Sequence, residues 1–308
     1  ILIGTHALIQ DDVHFKKLGY VVADEQQRFG VEQRKALRLK GENTDFLLMS
    51  ATPIPRTLAA SLFSDMKVST IETMPAGRKQ PVTQLILENS FRSVLNEVNA
   101  LLEEGHQLYV ICAAVDENEA FKARDVNKMY INLSKLFYPR KVGMLHGQMS
   151  SEEKQSVMDA FAKNEIQVLV STTVVEVGMN VVNATGMIIY DADRFGLSQL
   201  HQLRGRIQRG NAVGKCWLLT DNKSEDVKER LNVLVKTTNG FEISYEDLRL
   251  TRQSGVPDLI LGNLYEDTNM IEVCRKDAKT IVEHCDQTDY ISIIESVKQR
   301  RAQSAYID

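Results

Sequence analysis

Short apolar runs, each closing on polar or turn-forming residues, alternate with stretches of helical period over most of the chain. That alternation predicts parallel α/β units, because a strand covered on both faces reads as an unbroken apolar run and a helix makes the crossover to its parallel neighbour. Two blocks follow. In the first, LGYVVAD (18–24) and DFLLMSA (45–51) predict buried strands, and VSTIET near Val68 predicts a third. These are too few for a whole sheet, so the block is expected to be a domain whose beginning lies upstream. MPAGRKQP (74–81) has no period and reads as a linker. The second block predicts a complete six-stranded, doubly wound sheet from VTQLILE (82–88), QLYVICAAV (107–115), KVGMLHG (141–147), IQVLVSTTV (166–174), GMIIYDA (186–192) and GKCWLLT (214–220). Between them, Ser150 to Glu153 forms a capping box before a helix whose Val157, Ala160 and Phe161 share one face. Beyond about Asp221 the strands stop, and SEDVKERLNVLVK, NMIEVCRKDAKTIVEH and YISIIESVKQRRAQ predict a small helical appendage.

Composition adjusts this picture little. The 308 residues exceed one ordinary core, with 43% apolar and 25% charged side chains and no low-complexity tract, which excludes disordered and fibrous classes. The net charge of -4 means that any nucleic-acid contact rests on a local basic patch. Cys112, Cys216, Cys274 and Cys285 make no CxxC pair and are expected to be reduced thiols rather than metal ligands. No apolar run is long enough to span a bilayer, and the start lacks a signal peptide, so the cytoplasm is the expected location. That start is apolar and has no methionine, as expected of a fragment.

Four constellations carry candidate chemistry, the first and third of them at strand ends where ligands bind in open α/β sheets. In VVADEQQRFG, Asp24 and Glu25 end a strand, where nucleotide hydrolases keep an acid for magnesium and a neighbour that orients water; an acidic pair capping the next helix is the plainer alternative. In MSATPIPRTL, Ser50 and Thr52 lie on a turn stiffened by Pro53 and Pro55, suited to a relay or simply to a rigid loop. In STTVVEVGMNV (171–181), hydroxyls, Glu176 and Gly178 fit a grip on phosphates, or a helix start and a turn. In QLHQLRGRIQRG (199–210), Gln202, Gly205, Arg206 and Arg209 have the spacing QxxGRxxR on a predicted helix. Arg206 and Arg209 share a face there, and Gly205 permits close approach. Two guanidiniums suit charge developing on a transferred phosphoryl group, although any single run of this kind is equally a solvated basic face.

With GTHALIQ (4–10), LHGQMSSEEK (145–154) and TTNGFEISYEDLRLTRQSGVPD (237–258), these motifs resemble the superfamily two helicases and, within them, the RecG family of branched-DNA translocases. Transcription-repair coupling translocases share several of them, but EVG after the paired threonines and RQSGVPD are closer to the RecG pattern. The resemblance implies an α/β fold of RecA-like parallel sheets flanked by helices. One lobe is partial (1–78) and one complete (79–222), and a small C-terminal helical region with a translocation hairpin follows (223–308). It implies ATP in a cleft between lobes, Asp24 holding Mg2+ through water, Glu25 activating water, and Gly178, Arg206 and Arg209 at the nucleotide, with the arginines stabilising the transition state. Gln202 would help couple the lobes, and Ser50 and Thr52 would relay. Thr5, His6, His146, Thr172 and Thr173 would lie along the DNA path, and Arg252 and Gln253 would belong to the hairpin. The implied activity is ATP-dependent remodelling of branched DNA, forks and Holliday junctions, in fork rescue, recombination and repair by a monomer. Contact with phosphates predicts salt-dependent, largely sequence-blind binding.

Three departures qualify the likeness. No G-x-x-x-x-G-K-[ST] P-loop occurs, and the Gly214-Lys215 pair precedes a strand residue, so the cradle is expected upstream and this chain alone is expected to turn over negligible ATP. Gln27, Asn180 and Gln208 stand where the family usually has histidine, aspartate and glycine. DLRLTRQSG lacks the family's glycine-rich segment before RQSG. These features leave a second reading, a catalytically degenerate DNA-binding or interaction module of the same fold. An RNA helicase fits less well, because the DEQQ, ATPIPRTL and RQSG blocks together point to DNA motors.

Overall fold

The computed structural model describes residues 1–10, 12–25, 29, 33, 36, 37, 39–41, 44–50, 67, 69, 71, 73, 79–87, 91–113, 119–172, 181–207, 212–251 and 268–304. Two compact units divide the chain: Ile1–Pro53 with Met74–Asp247, and Ile54–Thr73 with Leu248–Asp308.

In the larger unit, β1 (Tyr20–Ala23) and β2 (Asp45–Leu48) form a parallel pair, with Tyr20 opposite Asp45 and Ala23 opposite Leu48. The ladder extends by one bond at each end, Asp45 N–H to the Gly19 carbonyl and Met49 N–H to that of Ala23 at 2.8 Å. Lys40 Nζ ties the connecting segment back by donating to the carbonyls of Gln10 and Val13. The third strand expected near Val68 is not seen in the described residues of that stretch. Ser69, Ile71 and Thr73 lie in no strand, and all three face solvent without a ladder to receive them.

The second sheet has the expected six strands, all parallel, in the order β3-β8-β7-β4-β6-β5. In chain order the elements are β3 (Val82–Leu87), α1 (Phe91–Glu103), β4 (Gln107–Cys112), α2 (Glu119–Leu136), β5 (Val142–Leu145), α3 (Ser151–Ala162), β6 (Val168–Ser171), β7 (Ala184–Tyr190), α4 (Leu197–Arg204), β8 (Lys215–Thr220), α5 (Glu225–Lys236) and α6 (Gly240–Thr251). Every residue of β4, β6 and β7 is buried, as two covered faces require. Alternate residues go to different cores. Leu108, Val110, Cys112, Val168, Val170, Ile188, Tyr190, Trp217 and Leu219 pack with Val94, Val98 and Leu101 of α1 and Val126 and Leu133 of α2. Tyr109 points the other way and meets Phe161 of α3, ring centroids 5.0 Å apart.

Helix ends follow local chemistry. The capping box at α3 is present as expected, with Ser150 Oγ accepting from the Glu153 N–H and the Glu153 carboxylate accepting from the Ser150 N–H. Helices α1 and α3 both end in Schellman turns, where Gly105 (φ 84°) and Asn164 (φ 59°) take the left-handed position. Cys112 and Cys216 are buried, Cys274 and Cys285 exposed, and all four are free thiols. In the smaller unit the described residues form α7 (Thr268–Glu283) and α8 (Thr288–Ser304). Among the described residues no helix is long and apolar enough to cross a membrane.

The single tryptophan, Trp217, is fully buried in the middle of β8, so its emission monitors the six-stranded core. A Cβ at Gly186 would lie 2.9 Å from Leu108 Cδ1 and 3.1 Å from Leu101 Cδ1. Gly186→Val is therefore expected to lower stability by about 1–3 kcal/mol, read as an earlier urea midpoint in Trp217 fluorescence.

Candidate functional site

The acid pair leaves β1 at its carboxyl end. Ala23 is buried and held by Met49, so the next two residues emerge from a fixed point. Glu25 adopts φ 54°, the left-handed region that side chains bearing a Cβ avoid, and its N–H donates to Asp24 Oδ1 at 2.8 Å. Non-glycine residues persist in that region where surrounding structure holds them there, and such positions cluster at active sites. The turn leaves the Asp24 side chain exposed and Glu25 half-buried. A hard carboxylate oxygen at a fixed exposed position suits a magnesium ion that keeps most of its waters. No group of three or more potential metal ligands occurs among the described residues.

The expected DNA-path residues fall into two sets. Thr5 Oγ1 caps a 3₁₀ turn at His6–Ile9, and the His6 ring stacks on Phe29 with centroids 4.6 Å apart. The segment carrying Thr5 and His6 is thereby joined to the stretch that follows the acid pair. Ser50 stands just beyond β2 and is exposed. On the larger sheet, His146 and Thr172 follow β5 and β6, whose last residues Leu145 and Ser171 are in register. The Thr172 N–H donates to the Leu145 carbonyl, and Thr172 itself is buried. Inside the same pair of loops, His146 Nδ1 is buried without a hydrogen-bond partner among the described residues. Gly214-Lys215 is no phosphate cradle: Lys215 starts β8 and pairs with Glu97 at 3.2 Å, and a Cβ on Gly214 would lie 2.7 Å from the Ile207 carbonyl oxygen.

The arginine run divides. Helix α4 stops at Arg204, and Gly205–Ile207 form a 3₁₀ turn, so Arg206 does not continue the helix that the sequence pattern predicts. Arg204 is 2% exposed. Its Nη1 donates to Thr83 Oγ1 (3.1 Å) and the Leu234 carbonyl (2.5 Å), and its Nη2 donates to the Thr237 carbonyl (3.2 Å) and lies 3.1 Å from His201 Nδ1. Burial lowers the Arg204 pKa from its ordinary value, and burial also pushes the Cys216 thiol up to about 12. His201 is lowered to about 4, by burial first and then by the Arg204 charge, so a neutral imidazole accepts from the guanidinium. Gln202 and Arg206 are half-buried. Among the described residues nothing lies within 4 Å of a Cβ built on Gly205, so the space beside it is open. Thr52, Thr173, Gly178, Arg209, Arg252 and Gln253, like Gln27, Asn180 and Gln208, lie outside the described residues.

Two anchors escape a reading of motifs. Asp247 of α6 accepts from the first N–H groups of α4, and Arg230 of α5 donates to the carbonyls of Asp193 and Phe195 in the loop before it. Arg204 itself was legible, because Leu197, Leu200, Leu203 and Arg204 share the i, i+3, i+4 face that turns inward.

Residues 90–211 match the helicase conserved C-terminal domain family, and the parallel sheet flanked by helices is a RecA-like helicase lobe. Across nearly its full length the chain is similar to RecG. It is 49% identical over 291 residues to the ATP-dependent DNA helicase RecG of Bacillus subtilis, covering 92% of this chain and 43% of that protein. The RecG of Staphylococcus epidermidis is 47% identical over 309 residues, 97% of this chain and 45% of that one. The chain thus spans less than half the length of these curated relatives. A solved structure of RecG bound to a three-way DNA junction superposes with a TM-score of 0.66 at 40% identity, over 88% of this chain and 36% of that chain. Dbp5 of S. cerevisiae bound to RNA and ADP BeF3 shares the fold alone, with a TM-score of 0.51 at 18% identity over 88% of this chain and 66% of that one. The resemblance drawn from the motifs is borne out by these relatives.

Arg204→Ala strands four acceptors in and around the core and is expected to cost about 3 kcal/mol, whereas Arg206→Ala is expected to cost about 1 kcal/mol or less; urea unfolding followed at Trp217 compares them. His201 is depressed to about 4 in the folded chain against 6.5 when unfolded, so the unfolded state binds the proton first. Its contribution is complete above pH 6.5 and is lost as pH falls toward 4. The urea midpoint should accordingly drop between pH 7 and pH 5, and less so in His201→Gln.

Proposed function

We propose that this chain is the motor portion of a RecG-type ATP-dependent DNA helicase that translocates on branched DNA, forks and Holliday junctions, in fork rescue, recombination and repair. The observation that carries this reading is the extended likeness to RecG helicases over 92% of the chain. Within it we assign the following roles. Asp24 holds Mg2+ through water, on an exposed carboxylate whose orientation the Glu25 N–H fixes. Glu25 orients the attacking water and takes up its proton. Arg206, with Arg209 and Gly178, faces the nucleotide and places positive charge where negative charge develops. When bound, ATP supplies the phosphoryl transfer whose free energy drives movement. Gln202, Ser50 and Thr52 relay between the nucleotide and the DNA. Thr5, His6, His146, Thr172, Thr173, Arg252 and Gln253 line the DNA path, where His146 Nδ1, without a partner among the described residues, suits a phosphate oxygen or a hydroxyl. The phosphate cradle comes from outside this chain, which carries no P-loop. The protein works as a monomer in the cytoplasm.

The test is ATP hydrolysis by the complete protein, including the P-loop segment, with no DNA, linear duplex and a model fork. Fork-stimulated hydrolysis is expected, falling at least about a hundredfold in Glu25→Gln and Arg209→Ala. This chain alone is expected to hydrolyse no ATP above background. Tight fork binding without hydrolysis by the complete protein would instead support the degenerate DNA-binding module. Affinity for the fork should fall steeply with salt and hardly change with base sequence, measured by anisotropy across a salt series.

A further inference from the structure

Helix α4 carries Gln202 and delivers Arg206, yet it has only eight residues, Leu197–Arg204, too few to hold its own direction. Its placement therefore depends on what grips its ends. The C-terminal end is fixed by Arg204. At the N-terminal end Gly196 offers no capping side chain. The cap comes from far along the chain: Asp247 Oδ1 accepts from the Leu197 N–H (3.2 Å), and Oδ2 accepts from the Ser198 N–H (3.1 Å) and Ser198 Oγ (2.8 Å). One carboxylate thus takes three donors at the positive end of the helix dipole.

Asp247 belongs to α6, which runs on to Thr251, the residue before Arg252. The N-terminus of α6 is separately seated, with Asn239 Oδ1 accepting from the Phe241 N–H and with Ile243 and Ser244 buried. We infer that Asp247 is a positioning residue for the arginine turn. Through its grip on α4, helix α6 sets where Gln202 and Arg206 stand. Helix α4 acts as a rod about 12 Å long, so a displacement of its capped end reappears at Gly205–Ile207. This inference rests on the motor reading above. It adds the residue through which α6 controls the turn.

The experiment compares wild-type complete protein with Asp247→Ala, Asp247→Asn and Ser198→Ala, measuring ATP hydrolysis with and without a model fork, fork affinity and thermal midpoint. Asp247→Ala should lower fork-stimulated kcat about tenfold, the effect of losing a helix cap, with KM for ATP and fork affinity within about twofold. The DNA-independent rate should fall less than the stimulated rate, a split that a purely structural role would not produce. Asp247→Asn keeps size and one acceptor oxygen and should recover most of the stimulation, while Ser198→Ala should lose about two- to threefold. A lower thermal midpoint with unchanged stimulation in the folded fraction overturns the inference. If Asp247→Ala does not fold, Ser198→Ala decides in the same way, unchanged stimulation again overturning it. Wild type without fork stimulation removes the motor reading itself; stimulated wild type with unaltered variants overturns only the role of Asp247.

Discussion

The larger unit is organised around a buried cation. Arg204 projects from the end of α4 into the buried layer between α5 and β3, where an unsatisfied guanidinium would cost several kcal/mol. None of its hydrogen-bond partners described above is a carboxylate. Its acceptors are a hydroxyl on β3, a neutral imidazole one turn back on α4, and the carbonyls of Leu234 and Thr237 at the end of α5. Those two carbonyls belong to the last turn of a helix, which leaves acceptors unused and carries partial negative charge. The cation and the helix terminus each supply what the other lacks. One side chain therefore fixes β3, α4 and α5 together, and the direction in which the following arginine leaves is a consequence.

Similar residues consequently do different work. Arg204 is locked into the core and Arg206 stands half-buried on a separate turn, although both belong to the same short basic run. The neighbouring titratable groups follow from the lock. His201 must stay neutral to accept from the guanidinium, and Cys216 stays protonated because burial outweighs the favourable charge beside it. Neither group is available for chemistry near neutral pH. A turn that presents charge to a reacting phosphate, the role proposed for Arg206, would gain from such rigidity, since preorganised charge needs no rearrangement during the reaction.

The sheet was legible because burial on both faces writes itself into the chain. The runs that became β4, β6 and β7 are apolar almost throughout, and the intervening lengths admit only helical crossovers. The capping box at Ser150 was legible because its partners lie three residues apart. What the pattern concealed was long-range or conformational. Asp247 lies 49 residues beyond Ser198, and nothing in either local stretch indicates that they meet. The separate fate of Arg204 was available from the register of Leu197, Leu200 and Leu203, but a run of arginines invites a single explanation. The short run near Val68 suggested a strand for the opposite reason: composition alone does not supply a neighbour to pair with.

Backbone strain separates ordinary turns from the candidate site. Among the described residues three non-glycine residues are left-handed: Glu25, Asn164 and Asp191. Asn164 completes the Schellman turn of α3, where asparagine is common and the conformation closes two hydrogen bonds. Glu25 and Asp191 have no helix end to close. Each immediately follows the carboxyl end of a parallel strand or the residue after it, the edge at which open α/β sheets bind ligands. The loop after Asp191 is held firmly, by Asp193 accepting from Thr220 Oγ1 and by Arg230 on the carbonyls of Asp193 and Phe195. Strain that is tolerated, anchored and placed at the ligand-binding edge marks a preset geometry. The Asp191 turn leads straight into α4, so the bend at the end of β7, the cap from Asp247 and the lock at Arg204 act in series on one short helix.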